Sequence, residues 1–229
     1  MSFNNAGIAP LFDSRHHRVY NTRQSPFDAI VHLQITFPGG VPSAGTGFLI
    51  RPGVVLTAGH NIFNHGLGWA TSVVVRPGRN GTYFPFGQRT VNIASGNAGV
   101  GSSWYSSAYM GDDFGILLLP TPFNNVPSRL SLSALNTDQL FNLQTHVMGY
   151  PRNPSTWTNN FQYWNFGEIV GVTGTTLSST NFSINGYSGG PLRDLHGRTV
   201  GVVVGATNVQ TSHVWRITTW ILDWINQTF

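Results

Sequence analysis

Gly186-Tyr187-Ser188-Gly189-Gly190-Pro191 is the segment of this chain richest in chemistry. Glycines on both sides of one serine leave its hydroxyl uncovered and let the backbone N–H groups of Gly186 and Ser188 turn toward a single point, as an oxyanion hole requires. Alone, the segment also reads as a Gly-rich hairpin. A serine hydroxyl is a weak nucleophile until a neighbouring imidazole takes its proton, so such a site requires a histidine. Of the eight histidines, His60 has the informative setting. In Thr57-Ala58-Gly59-His60 it follows the apolar run Val54–Leu56 and small residues, which places it where a strand gives way to a loop. His16 and His17 lie in a polar N-terminal arm, and His32, His65, His146, His196 and His213 have no comparable context, so each reads as structural or surface. The imidazole in turn needs a buried carboxylate to fix its tautomer. Asp112-Asp113-Phe114-Gly115 sets two carboxylates at the start of the most apolar strand. Neighbouring strand residues face opposite ways, so only one of the pair can reach His60. Without the other two segments, both would read as turn aspartates.

These residues need a rigid frame, and the rest of the chain describes one made of strands. Short apolar or β-branched segments recur at Ala29–Phe37, Gly45–Ile50, Val54–Thr57, Ser72–Arg76, Gly115–Leu119, Thr145–Met148, Phe166–Val172 and Val200–Val204. Turn dipeptides such as Pro52-Gly53, Pro77-Gly78 and Asn80-Gly81 punctuate them, the pattern of an all-β sandwich or barrel. Helical spacing occurs at the C-terminus, where Trp220, Ile221, Trp224 and Ile225 fall on one face, predicting a helix over about 218–227 that packs on the strands. The chain has 229 residues, 40% of them apolar and 13% aromatic, with only 9% charged. That excludes intrinsic disorder and fits one large domain or two small ones sharing a core.

Composition also removes several kinds of function. With no cysteine, thiol catalysis, disulfides and cysteine-ligated zinc are excluded. All 12 basic side chains are arginines, scattered apart from Arg76 and Arg79, so no nucleic-acid partner is expected. The longest apolar runs fall far short of the roughly 20 residues that cross a bilayer, and no membrane association is expected. His60 and His65 are not spaced as His-Glu-x-x-His, so no metal site is expected. The order His60, Asp113, Ser188 is the reverse of the usual lipase and esterase order.

That order, and the sequences around each residue, resemble the chymotrypsin-like serine proteases, and more closely their bacterial glutamyl endopeptidase (V8-like) branch. The likeness extends to Gly68-Trp69-Ala70-Thr71-Ser72, Arg76-Pro77-Gly78-Arg79-Asn80-Gly81 and Tyr83-Phe84-Pro85-Phe86-Gly87 after the histidine, to Asp113-Phe114-Gly115, and to Gly149-Tyr150-Pro151. It runs from about Pro26 to the final helix. It implies an all-β fold of two six-stranded antiparallel β-barrels with a C-terminal α-helix, and an active site in the cleft between the barrels. The implied organisation is an N-terminal arm at 1–25 with a removable piece at 1–9, a first barrel at 26–122 and a second at 123–229. The implied activity is serine endopeptidase, with His60, Asp113 and Ser188 as triad and the Gly186 and Ser188 amides as oxyanion hole. A protein or peptide is the expected substrate, no cofactor is required, and a monomer is expected. A catalytically silent, protease-like binding module is the competing reading, against which all three triad positions and the glycines are intact. The family's habit, with low charge and frequent Gly and Asn, implies a secreted bacterial enzyme. Residues 1–10 lack the pattern of a secretory signal peptide, which leaves an intracellular protease open.

Two departures from the family follow. Trypsin-type enzymes carry an aspartate just before the nucleophile that pairs with a freed N-terminus, and here Tyr187 holds that place. Glutamyl endopeptidases carry a histidine on the strand after the nucleophile that binds the substrate's glutamate. Matching Gly201 to the family's glycine puts Val203 there. By the resemblance, Phe182 and Ser183, then Val203, Val204, Gly205 and Ala206, then Ser212, His213 and Val214 wall the pocket for the side chain before the cut bond. These walls are mostly apolar, so the expectation is an uncharged apolar residue, unless Ser183, Ser212 or His213 supplies a donor for glutamate.

Overall fold

The computed structural model describes residues 16–93, 96–152, 160–208 and 211–228, so the expected removable piece at 1–9 lies outside the described residues. The strands are β1 (His16–Arg18), β2 (Ile30–Phe37), β3 (Val41–Arg51), β4 (Val54–Thr57), β5 (Phe63–Asn64), β6 (Gly68–Trp69), β7 (Ser72–Pro77) and β8 (Arg89–Asn92). They continue with β9 (Ala98–Val100), β10 (Gly115–Leu118), β11 (Gln144–Gly149), β12 (Tyr163–Val172), β13 (Thr176–Ser179), β14 (Pro191–Asp194), β15 (Thr199–Asn208) and β16 (Thr211–Arg216). The helices are α1 (Ser102–Ser107), α2 (Thr137–Leu140) and α3 (Thr219–Thr228).

The C-terminal half is a closed antiparallel barrel, in which β12, β11, β14, β15, β16 and β13 pair in that order and β13 returns to β12. The N-terminal half is a seven-stranded sheet in the order β8-β7-β2-β3-β4-β10-β9, a half-barrel whose extra strand is the short β9. The all-β architecture and the closing helix are as expected. The N-terminal half differs from a closed six-stranded barrel in being open along its strand ladder. Alternation explains the sheet's two faces: along β7, Val73 and Val75 are buried while Ser72, Val74 and Arg76 are partly exposed. Strands that face the core on both sides, such as β4, read as unbroken apolar runs instead.

Each half has its own core, and the chain crosses between them at both ends. β1 adds to the edge of β12 in the C-terminal barrel, with His16 opposite Asn165 and Arg18 opposite Tyr163. At the other end α3 lays Ile221 and Ile225 into the core of the N-terminal half. Phe114, at the entrance to β10, stacks on Trp215 of β16 with centroids 4.4 Å apart and planes at 23°. Trp224 of α3 meets the same Phe114 ring edge-on at 5.7 Å. This aromatic cluster joins the two halves and the helix at the residue that follows Asp113. Trp215→Ala is therefore expected to cost about 3–5 kcal/mol of unfolding free energy in denaturant titrations. Trp220, expected on the packed face with Ile221 and Ile225, lies instead on the outer face of α3 with 64% of the residue exposed, and Trp220→Ala should stay within about 0.5 kcal/mol of wild type.

Candidate active site

β4 and β10 are antiparallel neighbours with Thr57 opposite Gly115. The chain leaves β4 shortly before His60 and enters β10 shortly after Asp113, so this register brings the two residues to the same end of the strand pair. A single 3-10 turn at Gly59–Asn61 turns His60 back toward Asp113. Asp113 is buried, and its Oδ1 accepts the His60 backbone N–H at 2.8 Å. Its Oδ2 lies 2.8 Å from His60 Nδ1. Two contacts from one carboxylate fix both the position and the rotation of the ring. An acceptor at Nδ1 makes that nitrogen the N–H donor and leaves Nε2 available as a base. Asp112 is directed elsewhere: its Oδ2 accepts the Ser103 backbone N–H at 2.7 Å, at the start of α1. From α1, Trp104 stands against the His60 ring at 6.2 Å and 61°. Trp104 is held there by its own Nε1–H, which donates to the Phe63 carbonyl at 3.0 Å.

Ser188 and His60 line one cleft of about 450 Å³, bounded also by Pro42, Ser43, Ala44, Arg152 and Asn185. The loop around Ser188 is shaped by glycines that could be nothing else. Gly186 has φ +101°, and a Cβ there would lie 2.3 Å from the Tyr150 carbonyl oxygen. Gly189 has φ +87°, and its Cβ would lie 2.0 Å from the Thr46 carbonyl oxygen. Hydrogen bonds then orient the peptide planes. The Asn185 carbonyl accepts from Arg152 N–H at 2.7 Å, and the Tyr187 carbonyl from Gly190 N–H at 2.7 Å. In a planar trans peptide the N–H points opposite to the C=O. The Gly186 and Ser188 N–H groups therefore point away from these donors.

The loop is braced by the other half of the molecule. The Ser188 carbonyl accepts from the Thr46 backbone N–H at 2.9 Å and from Asn61 Nδ2 at 2.9 Å. Thr46 Oγ1 donates to the Gly186 carbonyl at 2.6 Å and accepts the Tyr150 N–H at 2.9 Å. Neither Thr46, Asn61 nor Trp104 was identified from sequence. Asn61 offered the one available signal, a polar side chain directly after His60 and next to an apolar strand.

The expected pocket walls occupy the closed barrel rather than the lining of this cleft. Val203 and Val214 face each other across β15 and β16 and are wholly buried in a core cluster with Leu192 and Phe182. Ser183 and Val204 are buried, and Gly205 and Ala206 become progressively exposed along β15. Ser212 is buried and donates through Oγ to the Asn181 carbonyl at 2.9 Å. His213 is partly exposed, with Nε2 at 2.6 Å from Thr207 Oγ1.

Residues 17–225 match the family profile Trypsin. An extracellular metalloprotease of Bacillus subtilis is 30% identical over 135 residues, which are 58% of this chain and 42% of that protein. A glutamyl endopeptidase of Bacillus licheniformis is 30% identical over 177 residues, 76% of this chain and 51% of that one. The chain thus spans about half or less of the length of these relatives. A solved structure of a Glu endopeptidase in complex with MPD superposes with a TM-score of 0.81 at 24% identity, covering 94% of this chain and 96% of the other, which shows the same fold.

Thr46→Val keeps the shape of the side chain but removes its hydroxyl, leaving the Gly186 carbonyl and the Tyr150 N–H without their partner. The expected loss is about 1–3 kcal/mol of stability, read from the denaturant midpoint at unchanged slope.

Proposed function

The chain belongs to the trypsin family of serine proteases, and from that membership we propose that it is a serine endopeptidase with His60, Asp113 and Ser188 as its triad. The observation that carries this reading is the double hold of Asp113 on His60, through the backbone N–H and Nδ1, in a cleft that Ser188 shares. In the proposed reaction Ser188 Oγ attacks the scissile carbonyl carbon as His60 Nε2 takes its proton. The carbonyl oxygen becomes an oxyanion, stabilised by the Gly186 and Ser188 N–H groups. His60, now an imidazolium held by Asp113, gives the proton to the departing amine as the C–N bond breaks. Water then attacks the acyl-enzyme with His60 again as base, releasing the acid and restoring Ser188.

For the side chain before the cut bond we infer preference for an uncharged, apolar residue. The support is the resemblance, which sets Val203 where the glutamyl endopeptidases carry their glutamate-binding histidine; Val203 and Val214 are themselves buried in the closed barrel and are not among the residues lining the cleft, and the one histidine among the expected walls, His213, is engaged by Thr207. A substrate carboxylate placed against valine would lack a donor, at a cost of several kcal/mol. The name of the Bacillus licheniformis relative supports the opposite preference, for glutamate, which would require Ser183, Ser212 or a released His213 as donor. Secretion is part of the proposal, supported by the extracellular designation of the Bacillus subtilis relative. Among the described residues no helix is long and apolar enough to cross a membrane.

Replacing Ser188 or His60 by Ala is expected to lower kcat by several orders of magnitude, and the double variant should lose little more, because such residues act as a unit. Near-wild-type turnover by Ser188→Ala would exclude the assignment, and an inactive wild type would favour the silent binding module. Asp113→Asn should lower kcat by about 10⁴ through the wrong tautomer. Asp112→Asn, which touches only the start of α1, should cost less than about tenfold. For specificity, kcat/KM on matched peptides with Leu, Phe, Glu or Arg before the cut bond should favour Leu or Phe. A Glu peptide favoured about tenfold or more, equivalent to about 1.4 kcal/mol, would show that another donor serves the carboxylate.

A further inference from the structure

The residue directly before the nucleophile, Tyr187, is wholly buried, and its hydroxyl is claimed by a strand 171 residues away in sequence. His16 Nε2 of β1 lies 2.5 Å from it. Burial raises the Tyr187 pKa well above that of an ordinary phenol, with the neighbouring Asn165 side chain opposing the shift. The group therefore stays a neutral O–H over any working pH. Asn165 also grips the stretch leading into the nucleophile loop: its Nδ2 donates to the Phe182 carbonyl at 3.0 Å, and its Oδ1 accepts the Phe182 N–H at 2.9 Å.

His16 is packed as tightly as it is bonded. Its ring stacks on Tyr163 at 4.5 Å and 20°, tilts against Phe182 at 5.2 Å and meets Tyr187 edge-on at 5.7 Å. Tyr187 sits between the two peptide groups that matter, since its carbonyl belongs to the Ser188 amide plane and its N–H to the peptide following Gly186. Its backbone bonds, N–H to the Ile184 carbonyl at 3.1 Å and carbonyl to Gly190 N–H at 2.7 Å, stay inside the loop. Only the side chain ties this residue to the barrel wall.

We propose that His16 is a positioning residue for the nucleophile loop: docking of β1 on β12 delivers an imidazole that anchors the Tyr187 hydroxyl and so sets the amides on either side of it. The inference rests on the reading of Ser188 as the acylated nucleophile. The N-terminal strand then governs turnover through a hydrogen bond that never touches substrate.

The test uses the full chain with His16→Ala, Tyr187→Phe, the double variant and His16→Gln. It reads kcat, KM, the rate of Ser188 labelling by a fluorophosphonate, and the folded fraction by near-ultraviolet circular dichroism. Each of the first two variants should lower both kcat and labelling rate by roughly ten- to a hundred-fold, with KM within about threefold. The double variant should fall little below the worse single one, since both remove the same bond. His16→Gln, which keeps a hydrogen-bonding group on β1, should recover most of the loss. Two single variants with kcat and labelling near wild type would overturn the inference, as would losses that multiply in the double variant or follow only the unfolded fraction. If His16→Ala does not fold, Tyr187→Phe decides alone, and failure of that variant to fold would itself count against a role in turnover. A wild type that is not labelled would overturn the Ser188 reading, whereas a labelled wild type with unaffected variants overturns the positioning role only.

Discussion

The Asp113 carboxylate is the constraint on which the rest of the site depends. Buried at the entrance to β10, it accepts one hydrogen bond from the backbone of His60 and faces the ring nitrogen of the same residue with its second oxygen. Burying a carboxylate without partners is costly, so the position is tolerated only because both oxygens are satisfied. That satisfaction in turn requires the β4–β10 register, the 3-10 turn after Ala58, and the Phe114–Trp215 stack that closes the space behind. The ring is left with one rotation and one tautomer.

The Ser188 loop shares one cleft with that ring. The Ser188 loop belongs to the closed barrel, yet its carbonyls are held by Thr46 and Asn61 from the N-terminal half. Polar braces of this kind act differently from a shared hydrophobic core, because each fixes the direction of a particular peptide group as well as its distance. Asn61 joins the two sides by adjacency: its neighbour is His60, and its own amide binds the Ser188 carbonyl. Among the described residues, β1 pairs with the closed barrel and α3 packs on the N-terminal sheet, so each half is tied to an element from the far side of the other in sequence.

The site was legible in sequence where a short segment contains its own physics. Gly186 and Gly189 have to be glycine because their backbones are left-handed and crowded, and His60 and Asp113 flank apolar strands long enough to be read. The helix at the C-terminus was readable from the spacing of Ile221 and Ile225. What escaped was carried by pairings between distant residues. β1 spans three residues with no apolar alternation, and His16 becomes buried only because Tyr163, Phe182 and Tyr187 converge on it. α1 has six residues, too few for an amphipathic pattern, so Trp104 gave no sign of meeting His60. β9 is a three-residue Ala-Gly-Val strand that exists by pairing with β10. The wall residues were named from resemblance alone, and their burial in the closed barrel depends on the β15–β16 register, which no local segment specifies.

An imidazole held by Asp113 that activates Ser188 across the cleft leaves a chemical signature on that serine. The most direct measurement is treatment of the native and the urea-unfolded protein with a fluorophosphonate, followed by peptide mass spectrometry, since only an activated serine reacts. One adduct is expected, on Ser188, formed by the native protein and absent after unfolding. No adduct on the native protein, or an adduct on any other serine, would contradict it.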